Sequence, residues 1–497
     1  MIYVHWLLLL IYSVAIAAAM VSVLMDRRQP AKTMAWMLVL TFMPVVGMVL
    51  YFFFGQSTRK ERMISKKSLD QLTKRSMLSF VQQEGSLTLD PRQQKLASLI
   101  FRQEETLPFA SLYTEIYTDG YQFFPALLKA IAHAQHHIHI NTYIFADDSL
   151  GHLIADALKE KARRGVEVRV IYDDVGSWHT SHRFFESMRE SGIEVNAFMP
   201  VKFPRFTSKV NYRNHRKICV IDGETGFIGG MNIAERYVKG RPHGKGKKKY
   251  RSPWRDTHIM VTGHAVNGLQ QAFLVDWYFI DRTLISGKQY YYDSANDSTF
   301  HNNSNKHAAC QLTMPAMTQL ATSSPTSPWP EIEQGYVRLL HEAQQYVYME
   351  TPYFLPTEPI LFALRTAALS GVDVRLMIPM HADAKLVEWA SRSYVMETIE
   401  AGVKIYLYKP GFNHSKLLVC DDNIASVGST NIDFRSFENN FEATLFVYDT
   451  NLTLKLKNIF LEDQANSILL DDLTDLEHRP FLQRLWESLV RLLSPLL

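Results

Sequence analysis

Two long apolar segments occupy the start of the chain. Val4 to Met25 and Met34 to Gly55 are runs of 22 residues that contain no Asp, Glu, Lys or Arg. A helix of about 20 apolar residues is long enough to cross the hydrocarbon core of a bilayer. A secretory signal peptide would have a shorter apolar core and a basic start. The pattern therefore predicts a hairpin of two hydrophobic membrane helices over residues 1–56.

Basic residues are distributed unevenly around this hairpin. The connection between the two segments holds three, whereas the basic juxtamembrane linker at 57–109 holds seven between positions 59 and 75. Because cytoplasmic flanks carry the excess of Lys and Arg, the pattern predicts that the rest of the chain faces the cytoplasm. A re-entrant hairpin that does not reach the far side is an alternative, since Pro44 and Gly47 could bend the second segment.

After the linker, short apolar strands and amphipathic helices alternate, and the order is repeated. The first copy places strands near 142–145 and 165–169 with a helix between them, and the second places them at 346–354 and 371–375. Alternating strands and helices are typical of βαβ units. The repeat predicts two similar α/β domains.

The repeat also sets the predicted boundaries, which are 110–290 for the first domain and 331–475 for the second. Residues 291–330 are rich in Ser, Asn, Thr and Pro, which is typical of an exposed inter-domain segment. Residues 476–497 are predicted to form an amphipathic helix, because Leu485 and Leu489 share a face opposite Arg484. This helix could lie on a bilayer or pack against the rest of the chain.

Each repeat ends in the same polar motif. It reads His215-x-Lys217-x4-Asp222 in the first copy and His414-x-Lys416-x4-Asp421 in the second. Residues two apart in a strand project to one face, so each His and Lys is predicted to point toward a common site. One such motif could arise by chance, but two copies at matched points of a domain-sized repeat indicate a single active site.

These residue types fit phosphodiester transfer. The reaction needs a nucleophile, a proton donor for the leaving alkoxide and cations for the non-bridging oxygens, and two His-Lys pairs supply all three without a metal or cofactor. Asn232, Asn431 and Ser429 follow the motifs and are candidate donors to the phosphate oxygens. The six motif residues are the candidate catalytic set.

Four carboxylates accompany the motifs. Asp256 follows the first motif along the chain and is predicted to orient His215, whereas Glu442 follows the second and is predicted to orient His414. Asp222 and Asp421 stand where a strand gives way to a turn, a position at which carboxylates usually hold backbone groups. They are therefore predicted to support the site structurally.

The paired motifs resemble those of the phospholipase D superfamily. With the apolar hairpin, the run 254–258, the segment 411–416 and Gly428-Ser429-Thr430-Asn431, the chain more narrowly resembles the bacterial cardiolipin synthase family. The resemblance implies two phospholipase D-like domains, each a mixed sheet flanked by helices, related by pseudo-twofold symmetry around one pocket. It also implies a multi-pass location in the bacterial inner membrane.

The same resemblance implies conversion of two phosphatidylglycerol molecules into cardiolipin and glycerol through a phosphatidyl-histidine intermediate. By family analogy His215 would be the nucleophile and His414 the acid, although the near-symmetric motifs do not distinguish them. The basic loop at 239–251 is predicted to face anionic membrane lipids. No nucleic-acid partner is expected, since the net charge is only +3 and the hairpin disfavours a nuclease. A phospholipase D-type hydrolase, a phosphatidylserine synthase and an inactive membrane scaffold remain alternatives.

Overall fold

The computed structural model describes residues 2–25, 30–51, 55, 89–201, 211–240, 242–243, 249–250, 252–292, 316–470 and 480–496. The predicted basic linker up to residue 88 lies outside the described residues. The same holds for most of the basic loop and most of the inter-domain segment.

The amino-terminal segments fold into three helices, α1 (Ile2–Met25), α2 (Pro30–Phe42) and α3 (Pro44–Leu50). Val23, Leu40 and Tyr51 are buried together, so α1 and α2 pack against each other as a hairpin. The second segment is interrupted at Met43, because the proline that follows fixes its own backbone angle and starts a new helix. No helix within the described residues combines the length and apolarity needed to cross a membrane, so the two predicted crossings stay a prediction.

The first half of the catalytic body contains the following elements in chain order: α4 (Pro91–Glu104), β1 (Phe109–Ala110), β2 (Thr114–Tyr117), α5 (Gly120–His133), β3 (His137–Thr142), α6 (Ser149–Arg163), β4 (Glu167–Asp173), α7 (His182–Arg189), β5 (Glu194–Phe198), β6 (Arg213–Asn214), β7 (Ile218–Ile221), β8 (Thr225–Gly229), β9 (Pro242–His243), β10 (Lys249–Tyr250), β11 (His258–Thr262) and α8 (Val266–Asp281). Side chains define the helix starts. Asp148, for example, accepts a hydrogen bond from Gly151 N and caps α6.

The second half contains β12 (Met317–Ser323), α9 (Glu331–Glu342), β13 (Tyr346–Glu350), β14 (Phe354–Leu355), α10 (Glu358–Leu369), β15 (Asp373–Pro379), α11 (Lys385–Glu400), β16 (Lys404–Tyr408), β17 (Leu417–Cys420), β18 (Ile424–Gly428), β19 (Ile432–Asp433), α12 (Phe434–Glu438), β20 (Asn440–Val447), α13 (Thr450–Ala465), β21 (Ser467–Leu470) and α14 (Phe481–Arg491).

The two halves have sheets with the same topology. The first sheet has the order β2-β11-β8-β7-β3-β4-β5, and the second contains β12-β20-β18-β17-β13-β15-β16, extended by β1 and β21 at its two ends. In the first sheet, the central strand β3 is parallel to β4 and antiparallel to β7. In the second sheet, the central strand β13 is parallel to β15 and antiparallel to β17. The prediction of two similar α/β domains with mixed sheets is confirmed.

The strands that follow the motifs are fully buried. β7 and β17 consist of apolar residues, and both faces of each strand are buried, as in the interior strands of layered α/β folds. Ile218 and Val220 of β7 belong to the same hydrophobic cluster as Leu417 and Val419 of β17. The two sheets therefore pack against each other, which brings the starts of β7 and β17 to a common interface.

Short stretches of chain also cross this interface. β6 pairs in parallel with β20 of the other domain, with Asn214 opposite Phe441. An isolated parallel bridge between Arg255 and Asn413 mirrors that pairing. Residues just before each motif are thus hydrogen-bonded to the opposite domain.

Candidate active site

The two motif histidines lie on extended segments immediately before β7 and β17, not inside these strands as predicted. His215 N donates to Phe441 O at 2.9 Å, and His414 N donates to Arg255 O at 2.7 Å. The prediction of a continuous strand was wrong because the residue before each histidine pairs with the opposite domain, and the strand of its own sheet begins only at Ile218 or Leu417. The histidines and their lysines are all buried.

The carboxylates reach the histidines across the domain interface. His215 Nδ1 lies 2.9 Å from Glu442 Oε1, and His414 Nδ1 lies 2.7 Å from Asp256 Oδ2. The predicted pairing of His215 with Asp256 and His414 with Glu442 was therefore wrong. Order along the chain suggested partners within one repeat. Instead, the pairing of β6 with β20 sets His215 beside Glu442, and the bridge between Arg255 and Asn413 sets His414 beside Asp256.

Burial and charge set the protonation state of the His215 pair. Burial lowers the pKa of His215 to about 4, which favours a neutral imidazole. Burial alone would raise the pKa of Glu442, but His215, Lys217 and the Ser429 hydroxyl outweigh it and lower that pKa. The ionised carboxylate then holds the Nδ1–H tautomer, which leaves the Nε2 lone pair of His215 available.

The His414 pair has a different balance. Burial raises the pKa of Asp256 to about 7, a rise that the charge of Lys416 opposes. Burial, followed by the charges of Lys416 and Lys217, lowers the pKa of His414 well below its usual value. This carboxylate is therefore close to half-protonated near neutral pH, so the pair can hold a proton that the His215 pair cannot.

Both motif lysines are buried, and their charges interact. Lys217 Nζ donates to the carbonyl of its own motif histidine, His215 O, and Lys416 Nζ donates to His414 O. Burial lowers the pKa of Lys217 well below its usual value, and the charge of Lys416 lowers it further. Two ammonium groups that interact in a dry site are stabilised by an anion between them. A phosphodiester supplies such a charge.

Ser429 is hydrogen-bonded to the carboxylate beside His215, and its predicted contact with phosphate stays a prediction. Its hydroxyl donates to Glu442 Oε2, and Ser429 Oγ accepts from Ala443 N at 3.0 Å. The corresponding residue, Gly230, lies so close to Asp256 that a Cβ would stand 2.1 Å from Oδ1. The two positions thus differ: Ser429 places a hydroxyl against Glu442, whereas Asp256 lies against a glycine that has no room for a side chain.

The two asparagines are held by their own domains. Asn232 accepts from Ile144 N at 3.1 Å through Oδ1 and donates to Tyr237 Oη at 3.0 Å. Asn431 Nδ2 donates to Asp433 Oδ2 at 3.1 Å. Each amide nitrogen carries two hydrogens, and these contacts use one of them. Binding of phosphate by these amides stays a prediction.

Asp222 and Asp421 bind backbone on the far side of their strands. Asp222 accepts from Gln135 N, His136 N and His137 N at 2.7 to 2.9 Å. Asp421 accepts in the same way from residues 344 to 346, each at 2.8 Å, and from Arg92 at 2.6 Å. These contacts fasten the start of β3 and β13 to the end of the motif strand, which is a structural role.

Comparison with known proteins decides the family. The family description "Cardiolipin synthase, PLD-like domain" matches residues 127–241 and 336–464, and "Phospholipase D-nuclease N-terminal" matches residues 14–56. The chain is 39% identical to a cardiolipin synthase of Geobacillus thermodenitrificans over 99% of this chain and 94% of that protein. It is 36% identical to a cardiolipin synthase of Listeria monocytogenes over 99% of this chain and 98% of that protein.

The chain belongs to the cardiolipin synthase family of the phospholipase D superfamily. Members of this family are phosphatidyltransferases, so the chain is classed with enzymes. Among solved structures, a phosphatidylserine synthase of Haemophilus influenzae matches 81% of this chain and its own whole length with a TM-score of 0.58 at 15% identity. That likeness concerns the fold alone.

Aromatic rings that the motif analysis did not select form the walls of this cardiolipin synthase family site. The Tyr143 ring lies 4.9 Å from His215, with Lys217 Nζ 5.2 Å above it. On the other side, the Trp254 ring lies 5.1 Å from His414, and Tyr237 Oη lies 3.4 Å from His414 Nδ1. Their positions in the sequence could have indicated these rings. Trp254 stands two residues before Asp256, and Tyr143 belongs to the repeated strand.

Buried ion pairs lie behind both histidines and were also missed. Arg216 NH1 lies 2.6 Å from Asp276 Oδ1, and Arg255 NH2 lies 2.6 Å from Asp463 Oδ2. Glu350, also buried, lies near the second pair, and burial raises its pKa to about 8. Removing one member of such a pair leaves an uncompensated buried charge. No cluster of three metal-ligating side chains occurs within the residues that the structure describes.

Proposed function

We propose that the chain transfers a phosphatidyl group from one phosphatidylglycerol to another, so that cardiolipin and glycerol are formed. The observation that carries the proposal is the buried site in which two carboxylate-oriented histidines and two lysines converge. The names of relatives that align over nearly the whole chain support the choice of lipid.

In the first half-reaction, His215 Nε2 attacks the phosphorus of the donor lipid. The P–N bond forms as the bond to the glycerol headgroup breaks, and His414 gives its proton to the leaving alkoxide. Lys217 and Lys416 neutralise the charge on the non-bridging oxygens. His215 is chosen as nucleophile because its pair favours the neutral imidazole, whereas the His414 pair can retain the required proton.

In the second half-reaction, a hydroxyl of the second phosphatidylglycerol attacks the phosphatidyl-histidine. His414 takes the proton of that hydroxyl, the new P–O bond forms, and His215 leaves as neutral imidazole. The proton returns to the His414 pair, so the cycle is closed without a net change. Water in place of the lipid hydroxyl would give phosphatidic acid instead.

The direct test is incubation of the purified protein with phosphatidylglycerol alone in the presence of EDTA, followed by lipid analysis. Cardiolipin and glycerol in equal amounts are expected. Phosphatidic acid without cardiolipin would indicate a hydrolase, and no turnover would indicate an inactive scaffold. A requirement for added serine and a cytidine-activated donor would indicate a phosphatidylserine synthase.

The activity is expected to fall as the pH rises above about 7. The raised pKa of Asp256 keeps a proton on the His414 pair below this pH, and the proton is lost above it. Loss of a single required proton lowers the rate about tenfold per pH unit. Initial rates measured from pH 5 to 10 check this fall in activity at alkaline pH. With a donor that carries a p-nitrophenol leaving group, release of the phenol needs no proton. The fall in rate at alkaline pH should then be absent.

Gly230→Ala is expected to lower kcat about a hundredfold. The added Cβ would stand 2.1 Å from Asp256 Oδ1 and so displace this buried carboxylate from His414. Ser429→Ala is the matched comparison, because it removes one hydrogen bond to Glu442 without adding volume and is expected to cost about tenfold. Steady-state rates of both variants check the difference. Equal losses would contradict the assigned packing.

We also propose that helices α1 to α3 attach the chain to the bacterial inner membrane, with the catalytic domains on the cytoplasmic side. The support is the apolar surface of this hairpin, on which Trp6, Leu10 and Val21 are more than half exposed. Alkaline extraction of membranes would leave the attached protein in the pellet. Labelling of single cysteines on the catalytic domains by an impermeant maleimide would then occur only after the cytoplasmic side is opened.

A further inference from the structure

An apolar cavity lies in the second domain, outside the catalytic cluster. It has a volume of about 220 Å³ and lies between β15, β16 and α11, where Ile378, Val387, Val395 and Leu407 line it. Its two charged lining residues, Glu388 and Arg392, pair with each other. Protein interiors contain few voids larger than a water molecule. A cavity with this lining and no net charge is suited to a hydrocarbon group.

Two aromatic rings, those of Tyr353 and Phe412, stand between the cavity wall and His414. Pro352 lines the cavity, and the next residue, Tyr353, packs against Phe412 with ring centroids 6.2 Å apart. Phe412 in turn packs against His414 at 5.9 Å. Tyr353 Oη also donates to Asp383 at 3.0 Å, on the loop that supplies Met380 and Ala382 to the cavity wall. An acyl chain of a lipid whose phosphate lies at the motifs would pass along these two rings to reach the cavity.

The first domain fills the corresponding space. Tyr172 of β4 occupies the position that Ile378 has in β15, since both are the sixth residue of matching seven-residue strands. The Tyr172 ring stacks on Phe185 of α7 with centroids 3.7 Å apart. Helix α7 has 8 residues, whereas α11 has 16. The cavity is thus a feature in which the second domain departs from the repeat.

The outer side of α11 continues into an exposed apolar surface. Helix α14 packs on α11, where Trp389 and Trp486 meet at 5.9 Å and Arg491 pairs with Glu397 at 2.9 Å. The large apolar side chains that remain at least 43% exposed on or beside α14 are Phe481, Leu482, Leu485, Trp486, Leu489, Leu492 and Leu493. Exposed apolar patches of this kind mark interaction surfaces, and a bilayer is the partner that also holds hydrocarbon chains.

We propose that this cavity, the chain pocket, binds one acyl chain of a phospholipid whose phosphate lies at the motif lysines. The inference rests on the proposed function and adds to it that the two lipids are bound unequally, because the stacked rings of Tyr172 and Phe185 occupy the corresponding position in the first domain. The headgroup phosphate is recognised by charge, and the chain is recognised by its length.

The test uses phosphatidylglycerols of increasing chain length in detergent micelles and compares wild type with Val387→Trp, which fills the chain pocket. For wild type, kcat/KM is expected to rise about fourfold per methylene buried until the pocket is full. Val387→Trp should lose this rise, so that its kcat/KM no longer depends on chain length. Leu386→Trp, which introduces the same side chain at the adjacent exposed position, should keep the wild-type dependence of kcat/KM on chain length.

A second variant tests the chain pocket in case Val387→Trp does not fold. Leu407→Ala enlarges the chain pocket, so its plateau should move to longer chains. If every folded variant has the wild-type chain-length profile, the chain pocket is excluded as the acyl site. Absence of cardiolipin with every chain length in wild type would instead refute the proposed function, so the two failures can be told apart.

Discussion

Replacement of either motif histidine by alanine is expected to reduce cardiolipin formation by at least about 10⁴-fold. His215→Ala removes the nucleophile, and His414→Ala removes the proton donor of a leaving group that is a poor one without protonation. Both losses should be of similar size, because the two residues act in one reaction rather than in two separate sites. Initial rates with phosphatidylglycerol, measured by lipid mass spectrometry, check this result.

His182→Ala is the control, because His182 lies at the start of α7 with its side chain 85% exposed. It should retain wild-type activity. If His215→Ala or His414→Ala kept a rate within about tenfold of wild type, a site that depends on both motifs would be refuted.

The second large effect is expected at the carboxylates. Glu442→Gln and Asp256→Asn should each lower kcat about 10³- to 10⁴-fold, because an amide can donate to Nδ1 and so stabilise the wrong imidazole tautomer. KM should change much less, since neither carboxylate is expected to contact the lipid. Glu438→Gln, the same change on the helix that precedes β20, should have little effect.

Double variants separate orientation from general damage. Glu442→Gln combined with His215→Ala should be no worse than His215→Ala alone, because the carboxylate acts only through that histidine. A further large loss in the double variant would mean that Glu442 has a role apart from His215.

The sequence was sufficient for the features that depend on local pattern. The repeat predicted two similar domains, and strand order is the same in both. The spacing of the motifs selected His215, Lys217, His414 and Lys416, which the fold brings together in one buried site. The turn positions of Asp222 and Asp421 pointed to backbone contacts, and each accepts three backbone N–H groups.

Features that depend on contact between the domains could not be derived in the same way. The partner of His215 follows from Asn214 lying opposite Phe441, and that of His414 follows from Arg255 lying opposite Asn413. The role of Ser429 depends on the length of Glu442 beside it. The chain pocket depends on aliphatic Ile378 standing where the other repeat has a stacked aromatic ring. Each of these is decided by shape rather than by residue type.

The central claim is that each histidine is oriented by a carboxylate of the opposite domain, and a burst assay tests it most directly. The donor is a phosphatidyl ester of p-nitrophenol, whose release marks formation of the covalent intermediate and needs no acid. His215→Ala and Glu442→Gln should both lose the burst, whereas His414→Ala and Asp256→Asn should both keep it. A burst that is lost in His215→Ala and Asp256→Asn but kept in Glu442→Gln would contradict the crossed pairing.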